Sequence, residues 1–271
     1  VDVALFQDVQ ADPPESVVKY CAEAAIEHSA QGVIGLGGGS SLDVAKLAAL
    51  LAPGNEGLKD IYGVGNAKGP RLPLILVPTT SGTGSEVTPI SIVTTGTNEK
   101  MGVVSPVIIP DIALLDPELT LGLPPHITAA TGIDAMVHAI EAYASASANN
   151  NPISRMLAEK ALELMGSSLL SAVQDGSNIE TRSNMLLGSM MAGQAFSNSP
   201  VAAVHALAYP LGGHFHIPHG LSNALVLPHV LRFNAETNPE PYIAIAPFAF
   251  PELADVGEQG RALAFCDALQ D

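Results

Sequence analysis

Hydrophobic and polar positions alternate in short blocks over the first third of the chain and lengthen into helical stretches beyond it. Residues 1–6 hold Val1, Val3 and Leu5 at alternate positions and read as a strand. After Pro13-Pro14, residues 16–30 place Val17, Tyr20, Cys21, Ala24 and Ala25 at helical spacing. Residues 32–36 form a short apolar run, hence a strand. Residues 40–51 are again helical, with apolar Leu42, Ala45, Leu47, Ala48 and Leu51. Further strands are expected at 74–77, which ends on Pro78, at 103–104 and at 112–115. Strands that alternate with helices predict a parallel sheet with crossover helices. From Pro124-Pro125 onward the period changes. Residues 127–144, 154–170, 179–196, 201–211 and 221–233 all read as helices, and the proline pair is a natural helix start. The expected division is an α/β domain over residues 1–123 and an all-helical domain over residues 124–271.

Composition narrows the class. The chain has 271 residues, 47% hydrophobic and 14% charged, so it folds around a real core. Trp is absent and aromatics are scarce, which leaves packing to Ala, Val, Leu, Ile and Met. The net charge of −16 comes from 11 basic and 27 acidic residues. Without a basic patch, nucleic acid is not an expected partner, and an acidic surface is repelled by anionic membranes. Cys21 and Cys266 stand alone, outside any CxxC pattern, which fits a reducing compartment. There is no leader-like segment and no run of 18 apolar residues. The expected location is cytoplasmic.

Two loops carry phosphate-binding chemistry. Gly35-Leu36-Gly37-Gly38-Gly39-Ser40 follows a strand and opens a helix. Glycines there let a phosphate approach the backbone, and the helix N-terminus offers N–H groups with partial positive charge. Ser40 can cap the helix or bond the phosphate. The spacing is not a full GxGxxG, and no Walker lysine follows, so a glycine-rich packing turn remains open. The second loop, Pro78-Thr79-Thr80-Ser81-Gly82-Thr83-Gly84-Ser85-Glu86, holds five hydroxyls and two glycines within residues 79–85. It too follows a strand, where ligands of α/β sheets bind; an ordinary Ser/Thr turn is the alternative.

A third group concerns metal. Asp134 and His138 are four apart on an expected helix, so they share a face. Such pairs are also common on helix surfaces. His205 lies in an apolar helix, and His219 opens the next one after Pro218. Two consecutive helices joined by a Gly-rich turn could bring both imidazoles to one point. A carboxylate with three imidazoles suits Fe2+ or Zn2+, and because no cysteine takes part, a Cys-type structural zinc site is excluded. His214 and His216 in the turn read as loop or pocket-lining residues.

In this order, GGGSSLDVAK, PTTSGTGSEVTP, GIDAMVHAIEAY and HALAYPLGGHFHIPHG resemble the iron-containing (group III) alcohol dehydrogenases. The likeness runs from the opening segment to about Asn234. It implies a Rossmann-like dinucleotide-binding α/β domain followed by an all-α domain, in a dehydroquinate synthase-like architecture. Asp134, His138, His205 and His219 match the metal ligands. Gly38, Gly39, Ser40 and Asp43 match the pyrophosphate loop, and Thr79, Thr80, Thr83 and Ser85 match a second cofactor loop. Lys100 matches a lysine near the cofactor ribose, and Phe196 matches an aromatic wall of the substrate pocket. Many members have His where this chain has Tyr209, a position tied to proton relay. The family's first strands and terminal helices have no counterpart here, so both domains read as truncated.

The activity implied is reversible hydride transfer between a small alcohol or aldehyde and NAD, with NADP as the alternative. A bound Fe2+, or Zn2+, polarises the substrate oxygen. A homodimer or higher homo-oligomer is expected. A glycerol-dehydrogenase-like or maleylacetate-reductase-like enzyme, and a non-catalytic scaffold, are the alternatives; metal content together with cofactor reduction separates them.

Overall fold

The computed structural model describes residues 1–96, 99–215 and 217–270, apart from the side chain of His214. The chain forms two compact units, Val1–Thr79 with Ser85–Asp116, and Thr80–Gly84 with Pro117–Asp271.

The first unit contains helices α1 (Glu15–Glu27) and α2 (Gly39–Leu51) and strands β1 (Val33–Gly37), β2 (Gly63–Val64), β3 (Leu74–Pro78), β4 (Ile90–Thr95), β5 (Glu99–Val104) and β6 (Ile112–Ala113). β1, β3 and β6 make a parallel sheet in the order β1-β3-β6, with Leu36 beside Val77 and Leu76 beside Ala113. Leu42, Ala45 and Ala49 of α2 pack on Leu74 and Leu76 of this sheet. Gly35 makes that approach feasible, because a side-chain carbon there would lie 2.7 Å from Ala45 Cβ. On the other face, Ile34 and Leu36 are exposed. The opposite side of α2 presents Val44, Leu47, Leu50 and Leu51 to a second cluster with Val18, Ile61, Val93 and Val103. A helix buried on both sides reads as nearly continuous hydrophobic sequence, as α2 does.

Two expectations change. Among the described residues, 1–6 join no strand and are largely exposed; alternation alone does not make a strand when no neighbouring strand supplies its hydrogen bonds. A hairpin was also unforeseen. β4 and β5 are antiparallel, with Val93 beside Met101, and β2 pairs with β5 in a second, mixed sheet.

The second unit is helical: α3 (Pro125–Ala144), α4 (Pro152–Gly166), α5 (Leu169–Gln174), α6 (Ile179–Asn198), α7 (Ala203–Phe215), α8 (His219–Thr237), α9 (Glu240–Ala249) and α10 (Glu258–Ala268). Its starts are chemically marked. Pro125 sits in the first turn of α3; Asn151 and Ser154 form a reciprocal capping box on α4; and Asn178 accepts from Glu180 and Thr181 at α6. Every residue from Asp134 to Ala142 in α3 is buried, so α3 is the central helix. Buried Arg182 of α6 donates to Thr128 Oγ1 at 2.8 Å and to the Leu123 and Gly176 carbonyls. Among the described residues, no helix is long and apolar enough to cross a membrane.

Candidate metal centre

Asp134 and His138 occupy successive turns of α3, His205 lies in the first turn of α7, and His219 begins α8. The structure brings all four together, with one ligand atom from each lying within 4.8 Å of the others. His219 Nε2 lies 3.5 Å and His205 Nε2 3.8 Å from Asp134 Oδ1. The His138 ring is sandwiched, with the Phe196 ring centroid at 4.4 Å and that of His205 at 4.6 Å.

Two of the rings have a partner at the other nitrogen. His138 Nδ1 lies 3.2 Å from the Gly82 carbonyl and must donate to it, which leaves the Nε2 lone pair free. His205 Nδ1 lies 2.7 Å from Glu141 Oε2. Glu141 also accepts from the backbone N–H groups of Ala202 (2.9 Å) and Val204 (2.7 Å), and so anchors the start of α7. Carboxylate–imidazole pairs of this kind fix tautomer and orientation at metal sites. Sequence reasoning missed Glu141 and the carbonyl of Gly82. The signal for Glu141 was present: it is three residues past His138 and seven past Asp134, on the same helical face.

The electrostatics fit a cation. Burial alone would raise the Asp134 carboxyl, but the surrounding imidazoles and Asn223 hold it below its ordinary value. Burial pushes His138 down to about 4, with His205 and His219 adding to the effect against Asp134. The cluster is thus an ionised carboxylate with a neutral imidazole, the protonation states that ligate metals. Among the described residues, the ion-pair partners of Asp134 are imidazoles only, with no Lys or Arg. A buried carboxylate without a full positive charge is costly, and a divalent ion supplies that charge. The donor set therefore fits Fe2+ or Zn2+.

Tyr209 stacks over His219 with centroids 6.0 Å apart. Its hydroxyl is raised above the ordinary value by partial burial, then by Asp134 and Glu141. His216 and the side chain of His214 lie outside the described residues.

The remaining expected residues fall in two places. Gly38 caps α2 in extended conformation without a side-chain bond, and Gly39 and Ser40 start the helix. Asp43 points inward, accepting from Ser85 Oγ (2.6 Å) and Ile92 N–H (2.9 Å), with Lys46 Nζ at 3.8 Å. Asp43 and Ser85 thereby tie the second loop to α2. Thr79 donates its N–H to Gly37, and Lys100 pairs with Asp12 at 2.7 Å. Thr80 and Thr83 belong to the segment Thr80–Gly84 of the second unit. There Gly84, at φ +60, lies so close to Gly193 that a side-chain carbon would come within 2.6 Å of its Cα.

The helical unit thus carries one carboxylate and three imidazoles gathered at one point, and in the α/β unit β1 and β3 run into glycine- and hydroxyl-rich loops. Residues 1–117 match the iron-containing alcohol dehydrogenase family, and residues 128–271 match the C-terminal part of the Fe-containing alcohol dehydrogenase family. The chain belongs to the iron-containing alcohol dehydrogenase family, as its motifs led us to expect.

Among its relatives, long-chain-alcohol dehydrogenase 1 of Geobacillus thermodenitrificans is 47% identical over 234 residues, 85% of this chain and 58% of that protein. The 1,3-propanediol dehydrogenase of Citrobacter freundii is 38% identical over 271 residues, 100% of this chain and 68% of that protein. The crystal structure of a 1,3-propanediol oxidoreductase superposes with a TM-score of 0.94 at 35% identity, covering 99% of this chain and 70% of the other. A sulfoacetaldehyde reductase from Bifidobacterium kashiwanohense, solved in complex with NAD+, gives 0.86 at 34% identity over 98% of this chain and 69% of the other. The chain thus spans 58% of the length of the first of these relatives.

Proposed function

We propose that the protein is a metal-dependent, nicotinamide-cofactor alcohol dehydrogenase that interconverts a small alcohol and its aldehyde. The observation that carries this reading is the convergence of Asp134, His138, His205 and His219 within 4.8 Å. On this reading these four are the metal ligands and the helical unit is the metal-binding domain. The α/β unit is a Rossmann-like dinucleotide-binding domain, in a dehydroquinate synthase-like architecture. Gly38, Gly39 and Ser40 hold the pyrophosphate at the start of α2, whose N-cap Gly38 makes no side-chain bond to the helix. Thr79, Thr80, Thr83, Ser85 and Lys100 serve the rest of the cofactor, and Asp43 holds the two loops in register.

When bound, the ion supplies Lewis acidity toward the substrate oxygen and NAD(P) accepts or returns hydride. The chain's own residues prepare the centre. Gly82 and Glu141 orient the rings of His138 and His205. Phe196 walls His138 on its open face and excludes water from it. Tyr209, protonated at neutral pH, is a hydrogen-bond donor beside His219.

The test is reduction of NAD+ or NADP+ by ethanol, butanol and 1,3-propanediol, followed at 340 nm after loading the chain with Fe2+ or Zn2+. Metal-dependent reduction with at least one alcohol is expected. Binding of metal and NAD(P)+ without turnover of any alcohol or aldehyde would overturn the activity.

A further inference from the structure

Asn223 stands inside the cluster of metal-ligating groups. We infer that it is a fifth member of that site, an amide that donates from nitrogen in the metal-free protein and turns its oxygen to the ion when one binds. Asn223 lies on α8 one turn past His219, on the same face, and is fully buried. Its Nδ2 is 2.5 Å from Asp134 Oδ1, 3.2 Å from His205 Nε2 and 3.4 Å from His219 Nε2. Among the described residues its Oδ1 meets no hydrogen-bond partner.

These facts pull one way. A carboxylate oxygen and two imidazole lone pairs converge on a single point, and without a cation they repel one another. The amide nitrogen sits there with two hydrogens, serving as a neutral stand-in for positive charge. A divalent ion entering the cluster could not face those hydrogens. A half-turn of the terminal amide exchanges two nearly isosteric groups. It aims Oδ1 at the ion and ends the oxygen's isolation, an isolation that otherwise costs free energy. A neutral oxygen added to one carboxylate and three imidazoles makes a five-donor shell. Such a shell is harder than four-coordinate zinc sites prefer and better suited to Fe2+.

The inference rests on the metal site proposed above, and the experiment separates the two. The full chain is stripped by dialysis against chelator and titrated with Co2+, alongside Asn223→Asp and Asn223→Leu. In Asn223→Asp the two states should move in opposite directions. Carboxylate against carboxylate lowers the metal-free melting temperature by about 4 °C or more. The added anionic oxygen tightens Co2+ about 10-fold or more. In Asn223→Leu the Co2+ visible spectrum should change as an oxygen donor is lost. If Asn223→Asp is folded only with metal, the metal-free loss is met in the extreme, and the Asn223→Leu spectrum decides. If wild type binds Co2+ but Asn223→Asp weakens it, or the Asn223→Leu spectrum is unchanged, Asn223 merely packs and this inference fails alone. If wild type binds no divalent ion, the metal reading itself fails.

Discussion

Replacing Glu141 by Ala removes one carboxylate that three donors share: the N–H groups of Ala202 and Val204 and the Nδ1 of His205, at 2.9, 2.7 and 2.7 Å. Hydrogen bonds to a charged acceptor contribute about 1.5–3 kcal/mol each, and a buried donor left unpaired costs about 1–3 kcal/mol. Water can reach part of the vacated space, so the sum overstates the loss, and we expect the metal-free protein to lose about 3–4 kcal/mol. A separate effect falls on the metal. With nothing to fix its tautomer, His205 turns, and affinity for Zn2+ or Fe2+ should drop about 10- to 100-fold. Glu141→Gln keeps one accepting oxygen and should fall between the two. Urea unfolding gives the first number, and competition with a chromophoric chelator gives the second. The pH dependence adds a sign. Burial would raise the Glu141 carboxyl, but His205 and the two backbone donors hold it below its ordinary value of 4.5. Its contribution is therefore complete above pH 4.5 and is lost as pH falls through the lowered native value. Glu141→Gln should lack that acid-side loss. Wild-type metal affinity in Glu141→Ala would refute the orienting role.

Three further outcomes follow from particular contacts. In Gly220→Ala the new carbon would lie 2.2 Å from the Ala130 carbonyl oxygen; backbone on both sides forces α8 from α3, so His219 shifts and metal retention after dialysis should fall about 10-fold, whereas full retention would contradict the packing. Tyr209→Phe should keep its metal and slow turnover by less than about 10-fold; a loss of about 100-fold in kcat would instead mark Tyr209 as the proton relay. Buried Glu86 is pushed up to about 7 by burial, against Lys46. The native state therefore holds a proton that the unfolded chain releases above 4.5, and stability should decline by on the order of 3 kcal/mol between pH 4.5 and 7. Glu86→Gln should flatten that decline in denaturant titrations across the range, and an unchanged slope would reject the assignment.

Much of this site was legible because its candidate ligands obey helical spacing. Asp134 and His138 are a turn apart on a helix announced by Pro124-Pro125, and His219 follows Pro218. What supports these candidate ligands was harder to read. Glu141 and Asn223 lie one turn beyond His138 and His219, but a polar residue on a helix reads as surface until the helix proves buried all round, as α3 does. The loop residues were grouped by their hydroxyls, and the inward turn of Asp43 toward Ser85 and Ile92 depends on β4. That strand was overlooked although Ile90–Thr95 is rich in β-branched residues, because its pairing partner β5 carries Glu99 and Lys100 and does not read as a strand at that end. Residues 1–6 failed in the opposite sense, with alternation but no strand among the described residues.

The central claim is that Asp134, His138, His205 and His219 hold one divalent ion. Elemental analysis of the full chain, loaded with Fe2+ or Zn2+ and then dialysed, tests it most directly when run beside His205→Ala and His219→Ala. About one ion per wild-type chain is expected and almost none in either variant, both still folded by circular dichroism. Wild-type protein that retains no ion, or a variant that retains a full one, would contradict it.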